Sequence, residues 1–266
     1  MTLAGAAIRA SESPPQPGPA DFNLPPIFEV AGFGITKPMV LVVLSAVIAF
    51  GVLYTMSRRA AVVPGRLQFA GEAMYGFVRN GIARENIGAP DYHRYVPYLF
   101  TIFVFVLVNN YYGMIPFFQF PTMSRIGYPL ALALIAWVVY NVAGIARHGL
   151  LGYLRLQTLP PGLPAWIVPI IVPLEFLSNI LLRPLTLTLR LFATMFAGHL
   201  LLILFALGGE YLLLHSDNAL AIPGGILSFV MFIAISFLEL LIMFLQAYVF
   251  TLLTAMYIGL ALADEH

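Results

Sequence analysis

The chain has 266 residues, 61% of them hydrophobic and only 9% charged, with a net charge of +1 and a mean hydropathy of +0.91. That composition excludes an ordinary soluble globular domain and belongs to the membrane class, and a charge so close to zero carries no footprint for nucleic acid. Cysteine is absent, which excludes disulfides, thiolate catalysis and soft-metal sites.

Residues 1–26 are rich in Pro, Ser and Gly and lack the apolar run of a signal peptide, so they read as a disordered tail ahead of a single transmembrane domain at 27–266. The first spanning segment runs from about Pro38 to Met56 and stops at the basic Ser57-Arg58-Arg59. Between Pro64 and Pro90 the pattern changes. Leu67, Ala70, Met74, Phe77, Val78 and Ile82 fall on one side of a helical wheel and Glu72, Arg79 and Asn80 on the other, which predicts an interfacial amphipathic helix at about 65–87.

A second span covers about Tyr95 to Ile115 and closes on Asn109, Asn110, Tyr111 and Tyr112, where the paired tyrosines fit the aromatic belt of the far interface. A third covers about Tyr128 to Ala146 and stops at Arg147-His148-Gly149. After a Pro-rich link come two apolar stretches of about 40 residues, at about 167–207 and 223–262. A helix of that length is about 60 Å long, twice the hydrocarbon thickness, so it must tilt, bend or break. Pro173 and Pro184 offer bends in the first. The expected fold class is therefore all-α and polytopic: about five transmembrane helices and one interfacial helix, with the last two spans forming a long tilted hairpin.

Arginine distribution sets the orientation. Arg58, Arg59, Arg66, Arg79, Arg84 and Arg94 lie between spans one and two, and Arg147 and Arg155 follow span three. The other side carries Arg9, Lys37 and Arg125. The positive-inside rule then places the amino end outside and the carboxyl end in the cytoplasm. With no Arg-rich, Ser-rich transit segment ahead of the tail, the expected location is the plasma membrane of a bacterium.

The polar inventory of the hairpin is short: Glu175, Asn179, Arg183, Arg190, Thr194 and His199 on the first helix, Glu239 and Gln246 on the second. Arg190 is the most informative of these. A guanidinium at membrane depth costs roughly 2.5–3.5 kcal/mol on insertion scales and does not release its proton, so it suits a fixed positive charge beside a path taken by something else. Histidine and a partly buried glutamate can titrate near neutral pH, so His199 and Glu239 suit proton handling. Glu239 and Gln246 are seven residues apart and share a helix face. An antiparallel hairpin with its midpoint near residue 214 pairs 199 with about 229, so bringing His199 to Glu239 needs a slide of several residues. No phosphate-binding glycine loop is present, and no cofactor or metal is expected.

The run from Arg183-Pro184 through Leu189-Arg190-Leu191-Phe192-Ala193-Thr194-Met195-Phe196-Ala197-Gly198-His199 resembles the signature of subunit a of F-type ATP synthase. Phe244-Leu245-Gln246-Ala247-Tyr248-Val249-Phe250 through Leu252-Leu253-Thr254 resembles its second signature, and Pro26-Ile27-Phe28-Glu29-Val30 extends the likeness ahead of the first span. The resemblance implies a non-catalytic stator subunit whose hairpin curves against a ring of c subunits and supplies two offset half-channels for protons, with ATP chemistry in other subunits. It puts Arg190 in the place of the essential arginine, His199 and Glu239 in the outer half-channel, and Gln246 close to the arginine. Thr194 stands where the family usually has asparagine. For Glu175 the residues leave two readings open, a group lining the cytoplasmic exit or one that merely reaches the interface. Peripheral stalk subunits of the b type and membrane lipid are the further implied partners. Two other readings are a self-contained proton-coupled transporter of an anionic substrate, against which the absence of inverted repeats counts, and a structural anchor for a respiratory assembly.

Overall fold

The computed structural model describes residues 18, 25, 27–30, 33–58, 65–88, 91–116, 118–158, 168–215 and 221–263. The tail at 1–26 lies outside them apart from Gly18 and Pro25. Apolar segments of this length have one economical conformation in hydrocarbon, the helix, because it satisfies every backbone N–H and C=O internally. Almost every described element is accordingly helical. The exception is a two-stranded antiparallel ribbon, β1 (Phe28–Val30) and β2 (Phe33–Ile35), with Phe28 opposite Ile35.

The ribbon leads into α1 (Lys37–Arg58). Next come α2 (Arg66–Gly76), a π-helical segment at Phe77–Arg84 and the short α3 (Glu85–Ile87). Helix α4 (Tyr92–Tyr111) follows, then α5 (Gly127–Thr158), α6 (Val168–Leu177), a second π segment at Ser178–Leu182, α7 (Arg183–Leu214) and α8 (Ala221–Leu262). Among the described residues, four helical runs are long and apolar enough to cross a membrane: Lys37–Thr55, α5, the continuous 168–214 run and α8. The chain is an all-α polytopic membrane protein. The 168–214 run holds 47 residues and α8 holds 42, about 70 and 63 Å at 1.5 Å per residue, so neither stands upright in a layer of about 30 Å.

Helix α4 holds 20 residues and has polar ends, Tyr92-His93-Arg94 and Asn109-Asn110. It is nevertheless the axis of the core. Leu99, Phe100, Phe103 and Val106 are fully buried, enclosed with Val78 and Ile82 of the first π segment, Leu187, Leu191 and Met195 of α7, and Met243, Ala247, Phe250 and Ile258 of α8. Asn109 and Asn110 are also fully buried, so they face protein.

Two local geometries depart from simple helical reading. The wheel for 65–87 assumes 3.6 residues per turn, but 77–84 is wound with i→i+5 bonds. Val78, Ile82 and Ala83 turn inward while Phe77 stays 40% exposed. In α5 the break falls at Gly149, at φ +73, a conformation suited to glycine. The chain then folds back until the Tyr153 ring lies against Gly144, where a Cβ would sit only 2.1 Å from it.

The segment at 66–87 is joined to the far end of the hairpin through Gly259. A Cβ there would lie 2.0 Å from the Asn86 carbonyl oxygen. Gly259→Val therefore has to push a backbone away and is expected to lower stability by about 1–3 kcal/mol. Gly208 is helical and meets nothing within 4 Å of a built Cβ, so Gly208→Ala is expected to raise stability by about 0.5–1 kcal/mol. Thermal unfolding of both purified variants in detergent checks the pair, and opposite signs are required.

Candidate functional site in the long hairpin

The geometry of the hairpin follows from its glycines. A Cβ at Gly198 would stand 3.1 Å from Glu239 Oε1, one at Gly209 would stand 3.1 Å from the Phe229 ring, and one at Gly225 would stand 2.5 Å from the Leu213 side chain. These contacts define one antiparallel register between α7 and α8. Because α7 continues through Gly208 and Gly209 to Leu214, the turn lies beyond 214. The slide that simple folding about residue 214 lacks is thereby supplied, and the 198–199 turn comes level with Glu239. Extended eight residues towards the start of α7, the same register puts Arg190 level with the turn carrying Gln246 and Ala247.

Glu239 is 2% exposed and Gln246 is 6% exposed. They lie on the inner face of α8 with Met243 between them, at the four- and three-residue spacings that line up side chains on a helix. Among the described residues, both carboxylate oxygens of Glu239 and the Nε2 of Gln246 have no hydrogen-bond partner. The Glu239 carboxylate occupies the space left by the missing side chain of Gly198, and no hydrogen bond joins it to the neighbouring His199. His199 is half-buried. Its imidazole hydrogen-bonds the backbone of Gln119, which lies between α4 and α5 and holds a φ of +45. A loop outside the hairpin thus orients the histidine.

Sequence reasoning missed Asn110. Its Nδ2 donates to the Met243 carbonyl at 3.2 Å, and its Oδ1 is buried without a partner. It therefore stands over α8 between Glu239 and Gln246. Asn109 beside it accepts from Thr122 Oγ1 at 2.6 Å. The available signal is two consecutive carboxamides ending an otherwise apolar run, beside the tyrosines that suit an aromatic belt.

Arg190 points the other way. Leu187, Thr188, Leu191 and Met195 form the buried face of α7, while Thr186, Leu189, Arg190, Ala193 and Ala197 are exposed. The guanidinium therefore sits on an outward stripe flanked by two small residues. Thr194 is half-buried and its hydroxyl donates back to the carbonyls of Arg190, at 2.9 Å, and Leu191, at 3.2 Å. That is the local back-bonding common for threonine inside helices.

Glu175 is not part of this group. It lies 15 residues before Arg190, about 22 Å along a helix, on the opposite side from His199. There Asn179 donates to Glu175 Oε2 at 3.3 Å and to the Gln157 carbonyl at 2.7 Å, and the Tyr140 hydroxyl donates to the Asn179 carbonyl at 3.4 Å. Tyr153 donates to Asn141 Oδ1 at 3.1 Å and accepts from Gln157. Arg183 lies over the Tyr257 ring at 5.1 Å, a cation–π placement that binds it to protein. Two buried polar groups thus flank the turn that carries Arg190, one on each side.

The chain matches the family model described as ATP synthase A chain over residues 39–259. It is 55% identical to ATP synthase subunit a of Nocardioides sp. over the whole of both chains. It is 47% identical to ATP synthase subunit a of Pseudarthrobacter chlorophenolicus, again over both full lengths. With ATP synthase subunit a of Streptomyces lividans it shares 39% identity over 95% of this chain and 89% of that one. Matches of this extent, over both signatures and all the long helices, show that the chain belongs to the ATP synthase A chain family.

Proposed function

We propose that this protein is the proton-conducting stator subunit of a bacterial ATP synthase membrane sector. In this reading it loads and unloads protons on the carboxylates of a c-subunit ring through two offset half-channels and makes no covalent bond itself. The observation that carries the reading is the division of polar groups in the hairpin. The permanent cation lies on the outward stripe of α7, and the titratable and carboxamide groups lie behind it on inner faces.

An outward guanidinium between Ala193 and Ala197 leaves room for a neighbouring helix to approach closely and present an acid. At 4 Å and an effective dielectric near 20 such a pair gains about 4 kcal/mol, enough to favour the ionised form of the acid and offset the cost of the cation at membrane depth. The same charge repels a proton passing straight from one side to the other. Glu239, His199, Asn110 and Gln246 form the outer half-channel, and Glu175, Asn179 and Gln157 the cytoplasmic one. Thr194 helps hold the α7 backbone beside Arg190. Helix α4 serves as the fifth span, the 66–87 segment lies in the cytoplasmic interface, and b-type stalk subunits dock on the outer helices. The amino end is outside and the carboxyl end cytoplasmic. A transporter with a substrate site of its own would enclose the arginine, and this arginine is exposed.

Arg190→Lys keeps the charge and loses the planar fork. It is expected to reduce ATP-driven proton pumping in inverted vesicles to background, and pumping at the unsubstituted rate would remove the gate. His199→Ala is expected to slow proton uptake by roughly 10²-fold, the lower end of what a positioned proton-transfer group contributes, with His199→Glu retaining part of the rate. The absence of native cysteine permits a direct map of the interface. Ala193→Cys and Ala197→Cys are expected to form disulfides with a cysteine placed beside the ring carboxylate, while the buried Met195→Cys is not; the opposite pattern would turn the ring-facing stripe inward.

A further inference from the structure

A cavity of about 410 Å³ opens between α4 and α5 at the end of the molecule where α8 finishes, and none of the groups assigned to proton transfer lines it. Its mouth carries Arg94, Arg147 and Asp91, and its wall runs along α5 through Val142 to Val138, with Leu262 of α8 closing one side. Arg147 Nη1 and Asp91 Oδ2 are 2.7 Å apart, with both side chains more than a third exposed. Arg94 is exposed and makes no ion pair among the described residues. Among the described residues, two guanidinium groups stand against one carboxylate at this mouth.

From Arg147 to Val138 the wall changes from charged to fully apolar over nine residues, about 14 Å of helix. That gradient matches a molecule with an anionic head and a hydrocarbon tail. A free phosphate would use only the mouth, and an uncharged apolar molecule only the wall. We propose that this cavity is a binding site for one anionic phospholipid, its phosphate seated between Arg94 and Arg147 and one acyl chain lying against Val142 and Val138. Basic pockets between transmembrane helices are a recurrent solution for such headgroups. Asp91 opposes the ligand: it occupies part of Arg147 and repels a phosphate. Its exchange with the lipid for the same guanidinium makes the sign of its substitution a sharp test.

The purified full chain in neutral detergent is titrated with dioleoylphosphatidylglycerol, dioleoylphosphatidylcholine or inorganic phosphate, and retained ligand is counted by native mass spectrometry. One phosphatidylglycerol per chain is expected, held more tightly than phosphatidylcholine, with inorganic phosphate not retained. Arg94→Gln is expected to weaken phosphatidylglycerol binding roughly fivefold, the value of one basic side chain at an anionic lipid surface. Arg94→Lys is expected to preserve it, Asp91→Asn to strengthen it, and Val142→Trp to abolish it by filling the groove. Equal retention of the two lipids, unchanged binding in Arg94→Gln or in Val142→Trp, or weaker binding in Asp91→Asn would overturn the assignment. Retention of inorganic phosphate in place of lipid would reduce the site to an anion mouth. Absence of phosphatidylglycerol from the intact extracted complex would give the groove to a protein neighbour.

Discussion

The hairpin depends on two helices approaching more closely than side chains ordinarily permit. At Gly198, Gly209 and Gly225 a methyl group would meet Glu239, Phe229 and Leu213 at 3.1, 3.1 and 2.5 Å. Lipid tails are as apolar as leucine, so α7 and α8 gain little from hydrophobic burial against each other and associate through close packing at small residues. The three glycines also act as a ruler. They fix one register, and that register brings the Glu239 carboxylate to the 198–199 turn and Gln246 to the level of Arg190. A seam made of leucine would have held the helices further apart and left no space for the carboxylate.

That register acquires meaning from what surrounds it. Helix α4, central to the core, lays the buried Asn110 across α8 between the glutamate and the glutamine. The loop after it supplies the Gln119 backbone for His199. On the other side the π segment at Ser178–Leu182 precedes α7 and carries Asn179, which ties Glu175 to the refolded end of α5 through the Gln157 carbonyl. π segments insert a residue and re-aim the side chains that follow. Here one of them separates the Glu175 group from the Arg190 turn. The result is two polar regions about 36 Å apart along the helix, from Glu175 to His199, with a single outward cation between them.

The lipid cavity belongs to the same architecture. Gly149 breaks α5 just after Arg147, which keeps that guanidinium at the mouth and paired with Asp91 at the start of α4. The features that halt a spanning helix at the membrane face, a basic residue and a glycine, also shape an anionic headgroup seat. Neither the mouth nor the apolar wall requires any residue of the hairpin's polar path.

Much of this was legible in the amino-acid order. Apolar runs far longer than a bilayer is thick imposed helices, because no other single-segment conformation satisfies its backbone in hydrocarbon. One arginine among leucines marked the site, because an unneutralised charge there is too costly to be incidental. What the order of residues left open was decided by contacts between distant segments. A helical wheel does not contain register, so the close pairing of Gly198 with Glu239 waited on a helix that continues through Gly208 and Gly209. Nor does periodicity at 3.6 reveal a π segment: Val78 and Ile82 of the apolar stripe are buried as the wheel expects, while Phe77 of the same stripe stays partly exposed beside Phe103, Phe244 and Tyr248. Asn110 was not legible as a site residue because its partner, the Met243 carbonyl, is 133 positions away. Local propensity and hydropathy set which segments become helices in a membrane; which of their faces meet, and therefore which polar atoms share a path, is settled only by close packing among helices far apart in the chain.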